Sequence, residues 1–258
     1  MSDWLHELPV PWITVVVLAA ISLLVAAIHL IAMRLAVGER GEAMRSVSPG
    51  LLPALGIVFA LIVGFLAAGV WGDSDKAKDA VSNEASALRA VVLLSDELPA
   101  ATATRMRALV RQQIQDAVDR EWPAMRKRQA SLAAIPTPLV EAQRLALAFD
   151  PRSPGQIDAQ RELVAAFQQA LDARRQRIIV SDSHVNAVKW FALLGLAAVM
   201  LIAIACVHSG NRRSALVAMG LYAAAVVVVT VMLVAQDEPF TGHLGQSPDL
   251  LEQVIPHT

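Results

Sequence analysis

Four long apolar stretches constrain this chain more than any other feature: roughly Pro11 to Met33, Leu51 to Trp71, Val188 to Val207 and Ala215 to Ala235. Each is close to the ~20 residues that a helix needs to cross a bilayer. Hydrocarbon offers no partners to backbone N–H and C=O groups, so such runs cross it as helices. The first run resembles a secretory signal in position only. Residues 1–10 carry Asp3 and Glu7 and no Lys or Arg, and no small-residue cleavage site closes the run, so it reads as a retained span. The expected fold class is an all-α integral membrane protein: four transmembrane helices in two pairs, with a helical domain inserted between the second and third.

Charge sets the orientation. Arg34, Arg40 and Arg45 lie between the first two spans and Arg212 and Arg213 between the last two, while the N-terminal tail and the stretch after Gln236 contain no Lys or Arg. By the positive-inside rule both short connections are cytoplasmic, so both termini and the large insert are extracytoplasmic. Trp12, Trp71 and Trp190 then fall at the outer interface. The predicted organisation is 1–50 for the tail, first span and cytoplasmic connection; 51–72 for the second span; 73–186 for the extracytoplasmic domain; 187–236 for the third and fourth spans; and 237–258 for an extracytoplasmic tail. A net charge of −1 over 258 residues leaves no field for nucleic acid, which is excluded as a partner. Cys206 is the single cysteine and forms no intrachain disulfide.

The insert reads as helical throughout. Ala77, Val81, Ala85, Leu88 and Val92 form one apolar face of a helix that extends the second span and ends at Pro99. A second helix, about Thr102 to Lys127, buries Leu109, Ile114, Val118, Trp122 and Met125, with a kink expected at Pro123. A short helix follows from about Leu139 to Phe149. The last, about Gln156 to Val180, presents Leu163, Phe167, Leu171 and Ile178 and is expected to run on into the third span.

Two rows stand side by side on the second span. Ile57, Leu61 and Phe65 recur at i, i+4 and i+8 as a bulky apolar stripe, and Gly56, Ala60, Gly64, Ala68 and Gly72 form a nearly bare one. The bare stripe is a helix-packing surface, and the apolar row beside it suits a hydrophobic constriction that gates by dewetting. Asp73 and Asp75 follow at the outer end and would form acidic rings at the mouth of an oligomer, partly offset by Lys76 and Lys78. Asp237 sits where the last helix ends, an unfavourable place for an anion, so a cationic partner such as Lys189 or Arg177 is expected. Pro239, Phe240 and Gly242 read as a structural stop and anchor. Glu121-Trp122-Pro123 reads as a packing joint, and His29 in the first span as a hydrogen-bonded histidine near the helix end. No catalytic motif and no metal-ligand spacing occurs, so neither an enzyme nor a cofactor is expected.

Gly64-Phe65 followed by Trp71, Asn83-Glu84-Ala85 with Leu88, Leu98-Pro99, Glu121-Trp122-Pro123-Ala124-Met125, and the ending Asp237-Glu238-Pro239-Phe240 with Gly242 and Ser247-Pro248 resemble the bacterial bestrophin-like proteins of unknown function, the DUF4239 family. The resemblance runs from about residue 50 to 250. It implies a homo-oligomeric protein of the bacterial inner membrane and, through the distant likeness to true bestrophins, an ion channel whose neck falls on Ile57, Leu61 and Phe65. True bestrophins carry a large cytosolic domain and a second span running inward, whereas the cations here place the domain outside. No acidic calcium-binding cluster accompanies the resemblance. The expected partners are the lipid bilayer, further copies of the chain and inorganic ions. The alternative is a non-conducting accessory or sensory subunit of a membrane complex.

Overall fold

The computed structural model describes residues 9–242 and 244–255, which contain helices and turns and no strand. The acidic N-terminal tail and the side chains of Arg40 and Arg45, used above for orientation, lie outside the described residues. The chain divides into two compact units, one reaching Gly72 and resuming at His184–Asp237, the other formed by Asp73–Ser183 and the segment from Glu238 onward.

The first unit contains α1 (Val10–Leu35), the short α2 (Glu39–Arg45) and the start of α3 (Leu51–Leu94). Its core on α1 is the straight row Ile13, Val17, Ile21 and Val25, four residues apart and therefore on one face. The opposite face is equally apolar, with Leu18, Leu23 and Leu30 exposed. A helix that is greasy all round is at home in lipid, where the outward residues lose nothing by exposure. Among the described residues, four helices are long and apolar enough to cross a membrane.

The second unit is built on the rest of α3, then α4 (Ala100–Asp116), α5 (Trp122–Arg126), α6 (Thr137–Ala148) and α7 (Pro154–Val180). Ala77, Val81, Ala85 and Leu88 are buried, as the 3.6-residue pattern predicts, together with Leu109, Ile114, Trp122, Met125, Leu163, Phe167 and Ile178. The expected kink at Pro123 takes a specific form. Residues Ala117–Glu121 are wound as a π-helical turn between α4 and α5. Pro123 has no N–H to donate and its ring would strike the carbonyl one turn back, and a widened turn relieves both problems.

The third and fourth spans are α8 (Ala187–Val207) and α9 (Arg212–Gln236), packed with α1 in the first unit. The expected run of the preceding helix into the third span does not occur. α7 stops at Val180, residues 181–186 are non-helical, and α8 restarts with Asn186 Oδ1 accepting from the Lys189 N–H at 3.0 Å. Ser181, Asp182 and Ser183 are residues whose side chains compete with helical hydrogen bonding, and the Ser181 hydroxyl bonds back to the Ile178 carbonyl at 2.7 Å. Asn211 opens α9 likewise, accepting from the Arg213 and Ser214 amides. Trp12 and Trp71 are exposed, while Trp190 is buried in the bundle core.

The tail returns to the second unit. Phe240 packs edge-on against Trp122, with ring centroids 5.8 Å apart, and the Trp122 indole N–H donates to the Gln246 carbonyl at 3.1 Å. Gly242 turns the tail at φ +74°, a conformation that favours glycine. A final short helix, α10 (Asp249–Glu252), buries Leu251 in the same core.

Candidate functional site

The two rows of α3 are turned away from the chain's own core. Leu66, Ala67 and Val70 are the buried positions of its first half, backed by the partly buried Leu55, Phe59, Ile62 and Val63. Phe59 also meets the Tyr222 ring of α9 edge-on at 5.6 Å. Ile57, Leu61 and Phe65 point the other way and are 64, 56 and 77% exposed. Most of the bare stripe is likewise turned away from the other described helices. A Cβ added at Gly56 would lie 3.6 Å from Met200 Cε, but at Gly64 or Gly72 it would meet nothing within 4 Å among the described residues. Ala60 and Ala68 are exposed. Within one copy, the first half of α3 therefore packs through Leu66, Ala67 and Val70 and leaves the apolar row and most of the bare stripe uncovered.

Beyond Gly72 the residues of the expected mouth are at the surface. Asp73 accepts from Lys76 Nζ at 2.8 Å, a solvent-exposed i,i+3 pair that contributes little to stability. Asp75 is exposed.

The densest polar site is one that local pattern reading divides among separate motifs. Arg177, on α7, is fully buried. Its Nε and Nη2 donate to the two oxygens of Glu84 at 2.6 and 3.1 Å, and Nη2 also donates to Glu121 at 2.7 Å. Arg174, one turn earlier, donates from Nε to the other Glu121 oxygen at 2.8 Å and from Nη2 to the Ala134 carbonyl at 3.1 Å. Met125 Sδ lies 3.4 Å from Arg177 Nη1, and the guanidinium carbon stands 4.6 Å from the Trp122 ring centroid. Two acids and two bases thus neutralise one another out of solvent, with an aromatic face against the most buried cation. Burial alone pushes the Arg177 pKa down, but Glu84 and then Glu121 outweigh it and hold it above its ordinary value. Burial likewise pushes Glu121 up, and the Arg177 and Arg174 charges overcome this and hold its carboxyl below the usual range.

The Glu121 side chain leaves the end of the π turn toward α7, so the distortion at Pro123 and the ion network share one short segment. A signal for the network is present in the periodicity: Leu163, Phe167, Ala170, Arg174 and Arg177 follow one another at i+3 and i+4, which puts both arginines on the buried face of α7.

Arg177 is therefore not the cation expected beside Asp237. Asp237, buried at the end of α9, accepts from the Val185 backbone N–H at 2.6 Å through Oδ1. Pro239 accepts from the Gln246 amide through its carbonyl at 2.8 Å. His29 also differs from expectation: its Nδ1 is buried and has no hydrogen-bond partner among the described residues.

The model of the bestrophin-like domain matches residues 19–251. Among solved structures, a point variant of a bacterial bestrophin homologue from Klebsiella pneumoniae superposes with a TM-score of 0.71 at 13% identity, covering 92% of this chain and 97% of that one. A second point variant of that homologue superposes with a TM-score of 0.67 at 11% identity, covering 91 and 96%. A structure described as a membrane protein matches with a TM-score of 0.67 at 12% identity, covering 92 and 96%. At such identities the likeness is one of fold. No curated protein matches the chain.

Proposed function

The chain belongs to the bestrophin-like domain family, a family of membrane proteins, and from that membership we propose that it is a homo-oligomeric ion channel whose pore is lined by α3. The observation that carries this reading is the exposure of Ile57, Leu61 and Phe65, each more than half uncovered on one face of α3. Leaving a large apolar side chain in water costs about 1.5–3 kcal/mol relative to burying it, so the row requires cover from outside the protomer. Lipid alone would provide that cover, but it would not require the bare stripe alongside. A stripe of Gly and Ala lets another helix come close. Copies of α3 arranged about an axis through this stripe turn the three apolar residues into stacked rings, a constriction that opens by wetting. The arginines of the short connections support an orientation in the bacterial inner membrane with both termini and residues 73–186 extracytoplasmic.

The same uncovered stripe favours a second reading, a non-conducting subunit that docks on a foreign membrane helix. Crosslinking in native membranes separates the two, since self-contacts belong to the first and a foreign neighbour to the second. The direct test is single-channel recording of purified protein in planar bilayers, wild type beside Leu61→Ser. A polar residue in the middle of the apolar row hydrates the neck and raises basal conductance. Conductance unchanged by Leu61→Ser, with assembly intact, removes Leu61 from the gate.

A further inference from the structure

Beside the ion network, within the second unit, lies a recess of about 300 Å³. Gln113, Asp116 and Arg120, from α4 and the π turn, line one side of it, and residues 134–138 line the other. Glu121 and Arg174 complete the wall. The volume is at the lower end of the range for small-molecule pockets.

One residue of this wall is left unfinished. Gln113 is 1% exposed, and its side-chain oxygen has no hydrogen-bond partner among the described residues. Buried side-chain acceptors are nearly always paired. The far wall directs its donors elsewhere. Pro136 and Pro138 carry no N–H. The Thr137 amide and hydroxyl both donate to the Ile135 carbonyl, at 2.9 and 3.4 Å. Arg174 spends its Nε on Glu121 and its Nη2 on the Ala134 carbonyl. A donor for Gln113 therefore has to arrive with a solute.

Charge narrows what that solute is. Asp116 and Glu121 balance Arg120 and Arg174, so the recess favours neither a lone cation nor a lone anion. Glu121 and Arg174 are tied to each other behind the surface. Asp116 and Arg120 form a looser pair, 3.1 Å apart, with side chains 29 and 80% exposed, and so can turn to a ligand at little cost. Gln113, Asp116 and Arg120 follow one another at i, i+3 and i+7, two acceptors and then a guanidinium along one side of the recess. A molecule with an ammonium next to a carboxylate matches that order. The ammonium has three protons for the Gln113 oxygen and the Asp116 carboxylate, and its own carboxylate suits the fork of Arg120. Ile135, Pro136 and Pro138 leave an apolar wall for a small side chain.

We propose that this recess binds a free α-amino acid with a small apolar side chain, held by Gln113, Asp116 and Arg120. The site stands whether or not α3 lines a pore.

The test is thermal unfolding and calorimetric titration of the purified full-length chain, with L-alanine and L-valine as probes. At about 10 mM, at least one of them should raise the melting temperature by roughly 2–5 °C. Isobutylamine, which lacks the carboxylate of valine, and isovalerate, which lacks its ammonium, should not. Gln113→Leu removes the orphan oxygen, so without solute its melting temperature should equal or exceed that of wild type, while its affinity for the probe falls at least about ten-fold. Arg120→Gln, an exposed change that carries the test even if Gln113→Leu folds poorly, should lower the affinity roughly three- to ten-fold. No shift with either amino acid overturns the proposal and leaves a water-filled recess. Equal shifts with isobutylamine or isovalerate overturn it as well, because recognition then does not need both charges. Wild-type affinity in Arg120→Gln and in folded Gln113→Leu places any binding elsewhere and overturns the site.

Discussion

The guanidinium of Arg177 closes on the carboxylate of Glu84 with both side chains sealed from solvent, joining α7 to α3 through residues 93 positions apart in the chain. A charge stranded by loss of its partner in such a place costs about 3–5 kcal/mol, whereas replacing both members with apolar residues is often close to neutral. Arg177→Met is expected to lower the melting temperature sharply in detergent, and adding Glu84→Leu should recover more than half of the loss. Losses that simply add would show that the pair is not coupled.

Acid should find Glu121 before it finds the hydrophobic core. Its folded pKa lies below the ordinary 4.5 because Arg177 and Arg174 outweigh the effect of burial. A carboxylate depressed in this way stabilises the fold above its unfolded pKa, and the contribution is lost as the pH falls through the folded value. The melting temperature should hold steady from about pH 7 to about pH 5 and decline below about 4.5. Glu121→Gln should begin lower and decline less steeply. An acid decline in Glu121→Gln identical to that of wild type would falsify the assignment.

Asp237 serves as an acceptor for the Val185 amide. Asp237→Ala leaves that buried N–H unpaired, at a cost of about 1–3 kcal/mol. Asp237→Asn keeps an oxygen in place and should retain most of the stability. Thermal unfolding of the two variants decides between an acceptor role and a purely ionic one, because only the ionic role makes the two equally damaging.

Gly64 offers a clean separation of folding from assembly. Nothing lies within 4 Å of a Cβ built there, so Gly64→Leu should leave the folded protomer intact. It should nevertheless block close approach by another helix, reducing the oligomer seen by crosslinking and light scattering. An unchanged oligomer would mean that the stripe is not the contact.

How much of this could be read in advance depended on the range of the interaction. Apolar length alone located the four long apolar helices, and a 3.6-residue rhythm located Val81, Leu88, Leu163 and Phe167 on buried faces. The break after Val180 was hidden because Ile178, Ile179 and Val180 lead toward another apolar run, and only the short Ser-Asp-Ser segment interrupts them. The pairing of Glu84 and Glu121 with Arg177 was hidden for a different reason: helical periodicity reports which face is buried, not which distant residue meets it. The α3 stripes show the same limit. Local spacing identified bulky and bare faces, but their exposure emerged only when the packing of the whole protomer showed that Leu66, Ala67 and Val70 make its internal contacts.

The composition of the second unit also carries a timetable. It joins Asp73–Ser183 to a segment that begins at Glu238, and α8 and α9 lie between the two pieces in the chain. In the proposed topology α8 and α9 cross as a pair, and only an even number of crossings between Ser183 and Glu238 brings both pieces to one side of a bilayer. Until they have done so, the Trp122 indole waits for Gln246 and its ring for Phe240. Closing such distant contacts is slow compared with forming local helix. The segment from Glu238 onward therefore works as a clasp, closing the second unit on a residue met 124 positions earlier in the chain.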